Sequence, residues 1–461
     1  MKEDEEEEQI IKNVPVLNKD ELGKNPNNKN KFLYIGLLIG VIVIIISIFL
    51  IIAFTYGNSA KTEKKEKANF FIAKYYTLEE NTYVKLFSPD IINSISSMII
   101  DKQNINNDNL DNLYIFNSPG EHSIIIQLNE TLKSMQELFK DCSYLTEVDL
   151  TELETKDVNS TAEMFYRCVA LSKINLKNID TGLLNNMANM FFGCESLTSI
   201  DLSNFKTSKV LDMSNLFNSC YNLQYVNLNK LDASNVEDMN NMFSSCITLK
   251  KINFEQFKTK KVKNMSKMFY RCYTLSSLEI STFSTSEVIS MEGMFQFCTG
   301  LSNLNLKNFD TSKVTDMNNM FSACKGLISI HLSSFNTKQV NNMMNMFNGC
   351  FLLQEINLKS FDTENLKQMG MMFYGCLSIS FLNISNFKTN NVVNMGGLFG
   401  KCISLEKIDI RNFNSTGLLS RNNLFSEIGE NGEIYYNSKI FNVSLFNYDI
   451  IKDWKKIDIS K

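Results

Sequence analysis

Between residues 138 and 427 the apolar positions return every 26 residues. One unit, from residue 294, reads MFQFCTGLSNLNLKNFDTSKVTDMNN. Phenylalanine holds one phase from Phe139 to Phe425, through Phe217, Phe243, Phe269, Phe295, Phe321 and Phe347. Cysteine follows three residues later, from Cys142 to Cys402, through Cys194, Cys220, Cys246, Cys272, Cys298, Cys324, Cys350 and Cys376. A step this strict marks a solenoid, whose units bury their apolar sides against one another.

Inside the unit, LSNLNL (301–306) ends in alternation, with Leu304 and Leu306 inward and Asn305 outward. That predicts a short strand, and stacked units predict a parallel sheet with strands about 4.8 Å apart. FDTSK (309–313) reads as a turn, because Asp and Ser side chains bond nearby backbone groups. Val314, Met317 and Met320 are spaced three apart, which fits either a helical turn or a second irregular strand. Most of the 22 methionines fall in the columns of Met317 and Met320, at inward phase, so they read as core filling.

The pattern decays at both ends, as terminal repeats must where one side meets water. Leu153 replaces phenylalanine in the Phe309 column and Thr161 replaces methionine in the Met317 column; at the far end Arg421 and Ile428 break the Met317 and cysteine columns. Residues 69–137 are therefore expected to form a β-rich N-terminal cap, including a hairpin in 114–128 that turns at Pro119-Gly120. Residues 138–427 make about eleven repeats, and 428–461 close the far end with an Asn431-Gly432 turn and Phe441, Phe446 and Trp454 over the last rung.

Ahead of the repeats, residues 32–56 are apolar and uncharged. As a helix they would span roughly 37 Å, beyond the ~30 Å of a bilayer core, which predicts a transmembrane helix over 32–56. An acidic tail (1–31, with EDEEEE at 3–8) precedes it and a charged stalk (57–68) follows. The lysines flanking the segment are balanced and do not orient it.

Composition adds three points. A net charge of −4 argues against a nucleic-acid partner. All four prolines precede residue 120, consistent with hydrogen-bonded structure throughout the repeats. Eleven cysteines cannot all pair within one chain, and the column is expected to hold mostly free thiols.

The stretch MFSACKGLISIHL (320–332) sets Cys324 seven residues from His331, one of only two histidines. A thiolate nucleophile needs a distinct, electropositive, accessible setting. Eleven equivalent positions cannot each provide one, so the cysteines read as structural. No CxxC pair, phosphate loop, GxSxG, HExxH or dinucleotide turn is present, so no catalytic, cofactor-binding or metal residue is assigned and no enzyme is expected. His331 shares an outward column with Asp149, Asn175, Asp201, Asn227, Asn253, Glu279, Asn305, Asn357, Asn383 and Asp409, which reads as an inter-rung polar ladder or as one row of a ligand surface. Neighbouring columns vary freely. The candidate ligand surface is Tyr225, Lys251, Asn253, Asn305, Ile328, His331, Asn357 and Phe381. Sequons at Asn129, Asn159, Asn264, Asn383, Asn414 and Asn442 permit extracellular display.

The unit MFxxCxxLxxLxLxxFxTxxVxxM, repeated across about residues 138–427, resembles the BspA-type leucine-rich repeats, in the variant found in mycoplasma lipoproteins and many protist surface proteins. The resemblance implies a right-handed leucine-rich solenoid displayed at a cell surface, in a family associated with adhesion and host or matrix binding. Ligands do not transfer with it, since the shared positions are the buried ones. The expected fold is an α/β repeat: a leucine-rich-repeat-like solenoid with a stacked parallel sheet, capped at both ends, plus one transmembrane helix. The expected function is a membrane-anchored, single-pass surface protein with its C-terminal domain outside the cell, binding a protein or glycan ligand. The alternative is a membrane-tethered cytosolic interaction scaffold.

Overall fold

The computed structural model describes residues 69–106, 110–446, 451 and 453–460. The acidic tail, the 32–56 segment and the stalk lie outside the described residues.

The described chain belongs to one compact unit, Ala68–Lys461. Its N-terminal cap contains β1 (Phe70–Thr77), β2 (Thr82–Lys85), β3 (Ile95–Ile100), β4 (Gln103–Ile105), β5 (Leu113–Phe116) and β6 (Gly120–Leu128). The first coils add β7 (Leu145–Asp149) and β8 (Lys173–Asn175) to the cap, giving a sheet of order β4-β3-β6-β1-β7-β8. Strand β1 runs antiparallel to β7, and the Phe71 ring meets the first ring of the phenylalanine column, Phe139, edge-on at 5.4 Å. The cap thus seals an end that would otherwise expose apolar side chains. The 114–128 segment is not a hairpin: β5 pairs with β2 while β6 lies between β1 and β3.

Later coils contribute β9 (Ser199–Asp201), β10 (Tyr225–Asn227), β11 (Lys251–Asn253), β12 (Ser329–Ile330), β13 (Glu355–Ile356), β14 (Phe381–Asn383) and β15 (Lys407–Asp409). They are parallel and in 26-residue register, as in Tyr225↔Lys251 and Phe381↔Lys407. Strands β16 (Glu433–Tyr436) and β17 (Lys455–Asp458) extend the last sheet. Trp454 closes this end, donating from Nε1 to the Gly429 carbonyl at 2.7 Å. Phe441 is buried beside the same end, while the Phe446 side chain lies outside what is described.

The strand face is broken into separate sheets, with no strand at residues 277–279 or 303–305. The unbroken ladder is elsewhere. Single parallel bridges link Ser160 to Asn186, Asn186 to Asp212, and so on in steps of 26 to Ser420. Beyond each bridge, backbone N–H groups at alternate positions reach the next coil, as from Met317, Asn319, Phe321 and Ala323 to Asn342, Met344, Met346 and Asn348.

Two expectations are corrected here. The α/β class gives way to a β-solenoid: among the described residues the helical elements are the 3-10 turns Pro89–Ser94 and Val443–Phe446. The spacing of Val314, Met317 and Met320 suits a helix, but the chain between them carries a residue of positive φ, Asn319 at 57°. A left-handed residue reverses the helical sense, so i→i−3 turns form and do not propagate. Asparagine, which tolerates this region, fills the column at 189, 215, 241, 319, 345 and 423. The transmembrane helix and the single-pass membrane placement are the second correction. No helix of the described residues is long and apolar enough to cross a membrane.

Three buried columns run through the core. The phenylalanine rings from Phe139 to Phe425 stack nearly parallel at 5.4–6.2 Å. Methionines fill the space behind them. The cysteines form the third column, all free and all buried.

Candidate functional site

The cysteine column is a ladder of hydrogen bonds. Each thiol from Cys168 to Cys402 donates to the carbonyl of the phenylalanine 29 residues earlier, at 2.9–3.2 Å. Donation requires the protonated thiol. Burial enforces that state, pushing the thiols of Cys142, Cys324 and Cys402 up to about 12 and raising the rest of the column as well. Cys324 donates a hydrogen bond to the Phe295 carbonyl at 3.1 Å, while His331 is exposed on the strand side. They are not a nucleophile and its base.

The other histidine sits in the cap. His122 Nδ1 lies 2.7 Å from Asp101 Oδ2, and Nε2 lies 3.0 Å from the Ser118 carbonyl and 3.3 Å from Thr77 Oγ1. The order carboxylate–imidazole–hydroxyl has the look of a triad. Thr77 is fully buried and donates to Ser118, so its hydroxyl has no access to a substrate. The cluster ties β1 and β6 to the loop before β6. Among the described residues no group of three His, Cys, Asp or Glu side chains could hold a metal ion.

A fourth column was missed by sequence reading. Threonines 155, 181, 207, 259, 285, 311, 337, 363 and 389 are buried in the turn after the strand. Thr259 Oγ1 donates to the Ser284 carbonyl at 2.7 Å and accepts from the Ser284 N–H at 2.9 Å. Thr311, Thr337, Thr363 and Thr389 make the same double clamp to the following coil. The recurring T of the FxT segment was the available signal; burial of a hydroxyl is what its periodicity meant.

On the strand side the outward Asx column chiefly caps turns. The side-chain oxygens of Asn253, Asn305, Asn357 and Asn383 each accept the N–H two residues on. The inter-rung amide–carboxylate bond occurs from Asn175 to Asp149 and from Asn227 to Asp201.

The variable columns are divided by the gap in the strands. Tyr225 and Lys251 are register partners in β10 and β11. Ile328 and Phe381 lie beyond the strandless coils, Ile328 four steps from Tyr225, or roughly 19 Å at the usual strand spacing. Around these two the structure adds residues from the corner after each cysteine. Phe351, Leu352 and Ile403 are exposed there, Leu352 by 50% and Ile403 by 57%, next to Ile328 at 46% and Phe381 at 49%. Lys325 lies over the Phe351 ring and Lys407 over the Phe381 ring. Glu355, Gln354 and Glu406 border the patch.

Parallel coils in register, a leucine-patterned strand in each and a continuous buried spine define the class: a capped leucine-rich-repeat solenoid that presents an exposed face. The chain belongs to the family described as "Mycoplasma protein of unknown function, DUF285", whose pattern matches residues 133–254, 248–356 and 351–453. This is the mycoplasma-type leucine-rich repeat that the 26-residue unit resembled. Solved structures to which the chain is similar include a leucine-rich cell surface protein from Faecalibacterium prausnitzii, at 16% identity over 64% of this chain and 83% of that one, with a TM-score of 0.30. A leucine-rich-repeat protein of Leptospira interrogans matches at 13% identity over 68% and 90%, TM-score 0.21. The functional domain of InlJ from Listeria monocytogenes, which includes a cysteine ladder, matches at 13% identity over 65% and 63%, TM-score 0.18. No curated protein matches the chain.

Proposed function

We propose that the solenoid is a protein-binding module of the adhesive kind, with its ligand docking on the strand side. The contact centres on Ile328, Phe351, Leu352 and Phe381, with His331 and Asn357 beside them and the Tyr225, Lys251 and Asn253 coils as a second contact. Asn305 lies between the two. The observation that carries the reading is the concentration of large exposed apolar side chains on consecutive coils, ringed by charged and amide groups. Protein interfaces place aromatic and aliphatic anchors at the centre and polar groups at the rim. The same side chains contribute little to the buried core, so the scaffold does not require them.

A random peptide library panned on the full chain tests this. Selected peptides should bind the wild type and lose at least about tenfold in affinity for an Ile328→Ser, Leu352→Ser, Phe381→Ser triple variant of unchanged thermal midpoint, since anchor residues carry most of an interface's energy. Selected peptides that bind the variant as tightly as the wild type would remove the proposal.

A further inference from the structure

The whole-chain charge of −4 conceals one coil of opposite character. Residues 248–273 contain Lys250, Lys251, Lys258, Lys260, Lys261, Lys263, Lys267 and Arg271 against the single acid Glu255. Two of these charges are used within the solenoid: Lys263 pairs with Glu237 at 2.6 Å and Lys267 with Glu292 at 3.1 Å. Lys258, Lys260 and Lys261 are exposed on the turn that follows the strand, a different part of the coil from the strand-side patch.

The 26-residue register places these lysines beside others. Lys206 and Lys209 occupy the columns of Lys258 and Lys261 two coils earlier, about 10 Å away at the usual spacing. Lys230 lies on the turn between them, also exposed. The acids facing this group are Asp232, in the intervening coil, Asp180, which meets Lys206 at 3.4 Å, and Glu237, which is paired with Lys263 and also feels Lys261. Glu287 on the following coil is taken by Lys313 at 2.6 Å. Lys258 and Lys260 help hold the Asp232 carboxyl below its ordinary range, behind its hydrogen bonds from Ser234. Cations therefore outnumber the carboxylates on this turn face.

A second observation falls at the same place. Ala233 stands where the neighbouring coils carry the clamping threonine. The paired hydroxyl contacts that Thr259 makes to Ser284 are absent between Ala233 and Lys258. The join between these two coils therefore lacks the clamp that its neighbours have.

We infer that the turn face from Lys206 to Lys261 is a second binding surface, for a linear polysaccharide bearing sulfate or carboxylate groups. Its rows of cations repeat along the solenoid axis, with the hydroxyls and amides of Ser208, Ser234 and Asn235 between them, as a polyanionic sugar chain would use both. Two features separate this ligand from other polyanions. The rows contain no arginine and no exposed aromatic ring, which single-stranded nucleic acid uses for stacking and bidentate phosphate contact. The large exposed apolar residues beside them, Leu183 and Leu211, stand singly and do not form the apolar centre that anchors a protein.

The test is retention of the full chain on immobilised heparin across a sodium chloride gradient, with a single-stranded oligonucleotide column in parallel. The wild type should be held by heparin beyond the salt concentration that releases it from the oligonucleotide. A variant with Lys206, Lys209, Lys258, Lys260 and Lys261 each changed to Gln should bind heparin at least about tenfold more weakly at low salt, with its thermal midpoint kept. A control of equal charge change, with Lys177, Lys307, Lys325, Lys359 and Lys439 changed to Gln, should keep the affinity. Equal loss in both sets would mean non-specific charge attraction and overturn the inference, as would tighter retention on the oligonucleotide. The strand-side triple variant should bind heparin like the wild type, so this surface and the protein-binding face stand or fall separately.

Discussion

The threonine clamp makes single side chains answer for the join between coils. Thr311 is fully buried and both donates to and accepts from the Asn336 backbone at 2.8 Å. Thr311→Val keeps the shape and leaves those two groups without partners. Each unsatisfied buried group costs about 1–3 kcal/mol, so the variant should lose about 2–6 kcal/mol in urea unfolding. Ala233→Thr should have the opposite sign, gaining about 1 kcal/mol by supplying the missing clamp. If Thr311→Val unfolds with the wild-type midpoint, the hydroxyl column is incidental. A second residue-scale constraint lies at the far cap. A Cβ on Gly432 would come within 2.6–2.7 Å of the Trp454 indole, which is itself packed and bonded to Gly429. Gly432→Ala should therefore lower the thermal midpoint by forcing the indole off the last rung.

At the scale of the element, the thiol ladder sets a pH limit. The folded thiols sit well above their unfolded value, so the stability they contribute is fully present below about pH 8.5–9 and is lost as pH rises from there toward the folded values near 12. One thiol costs about 1.4 kcal/mol per pH unit over that window. Eleven in one column together cost on the order of 15 kcal/mol per unit, comparable to the whole stability of a typical domain. Urea unfolding should weaken steeply between pH 8 and 10, and native protein at pH 7.5 should resist iodoacetamide while unfolded protein takes up eleven equivalents. Flat stability to pH 11 would contradict the ladder. The repeat step, the buried columns and the short parallel strands were legible because strict periodicity betrays shared burial, as the identical environments of Phe295 and Phe321 illustrate. The turns around Asn319 were not legible: a three-residue spacing is common to a helix and to these turns, and only the sign of φ separates them. Of the ligand surface, Ile328 and Phe381 were visible as odd residues in a variable column, whereas Leu352 and Ile403 sit at a corner whose exposure depends on how the coil bends.

For the whole molecule, the split between an interrupted strand face and an unbroken bridge ladder divides the labour. The ladder from Ser160 to Ser420 holds the coils together, so strand-side residues are free to differ from coil to coil. That freedom fits a module whose two proposed surfaces lie on separate sides of the same coils. It also makes the number of coils a free variable. Excising residues 294–319 would join Gly293 to Met320, a junction equivalent to the native Asn319-Met320 bond, and would bring Phe321 onto Phe269 as its new neighbour. Such a shortened chain should fold cooperatively, whereas removal of 25 or 27 residues should not. Loss or gain of whole units is therefore a route by which this molecule could change its reach while leaving every remaining joint as it was.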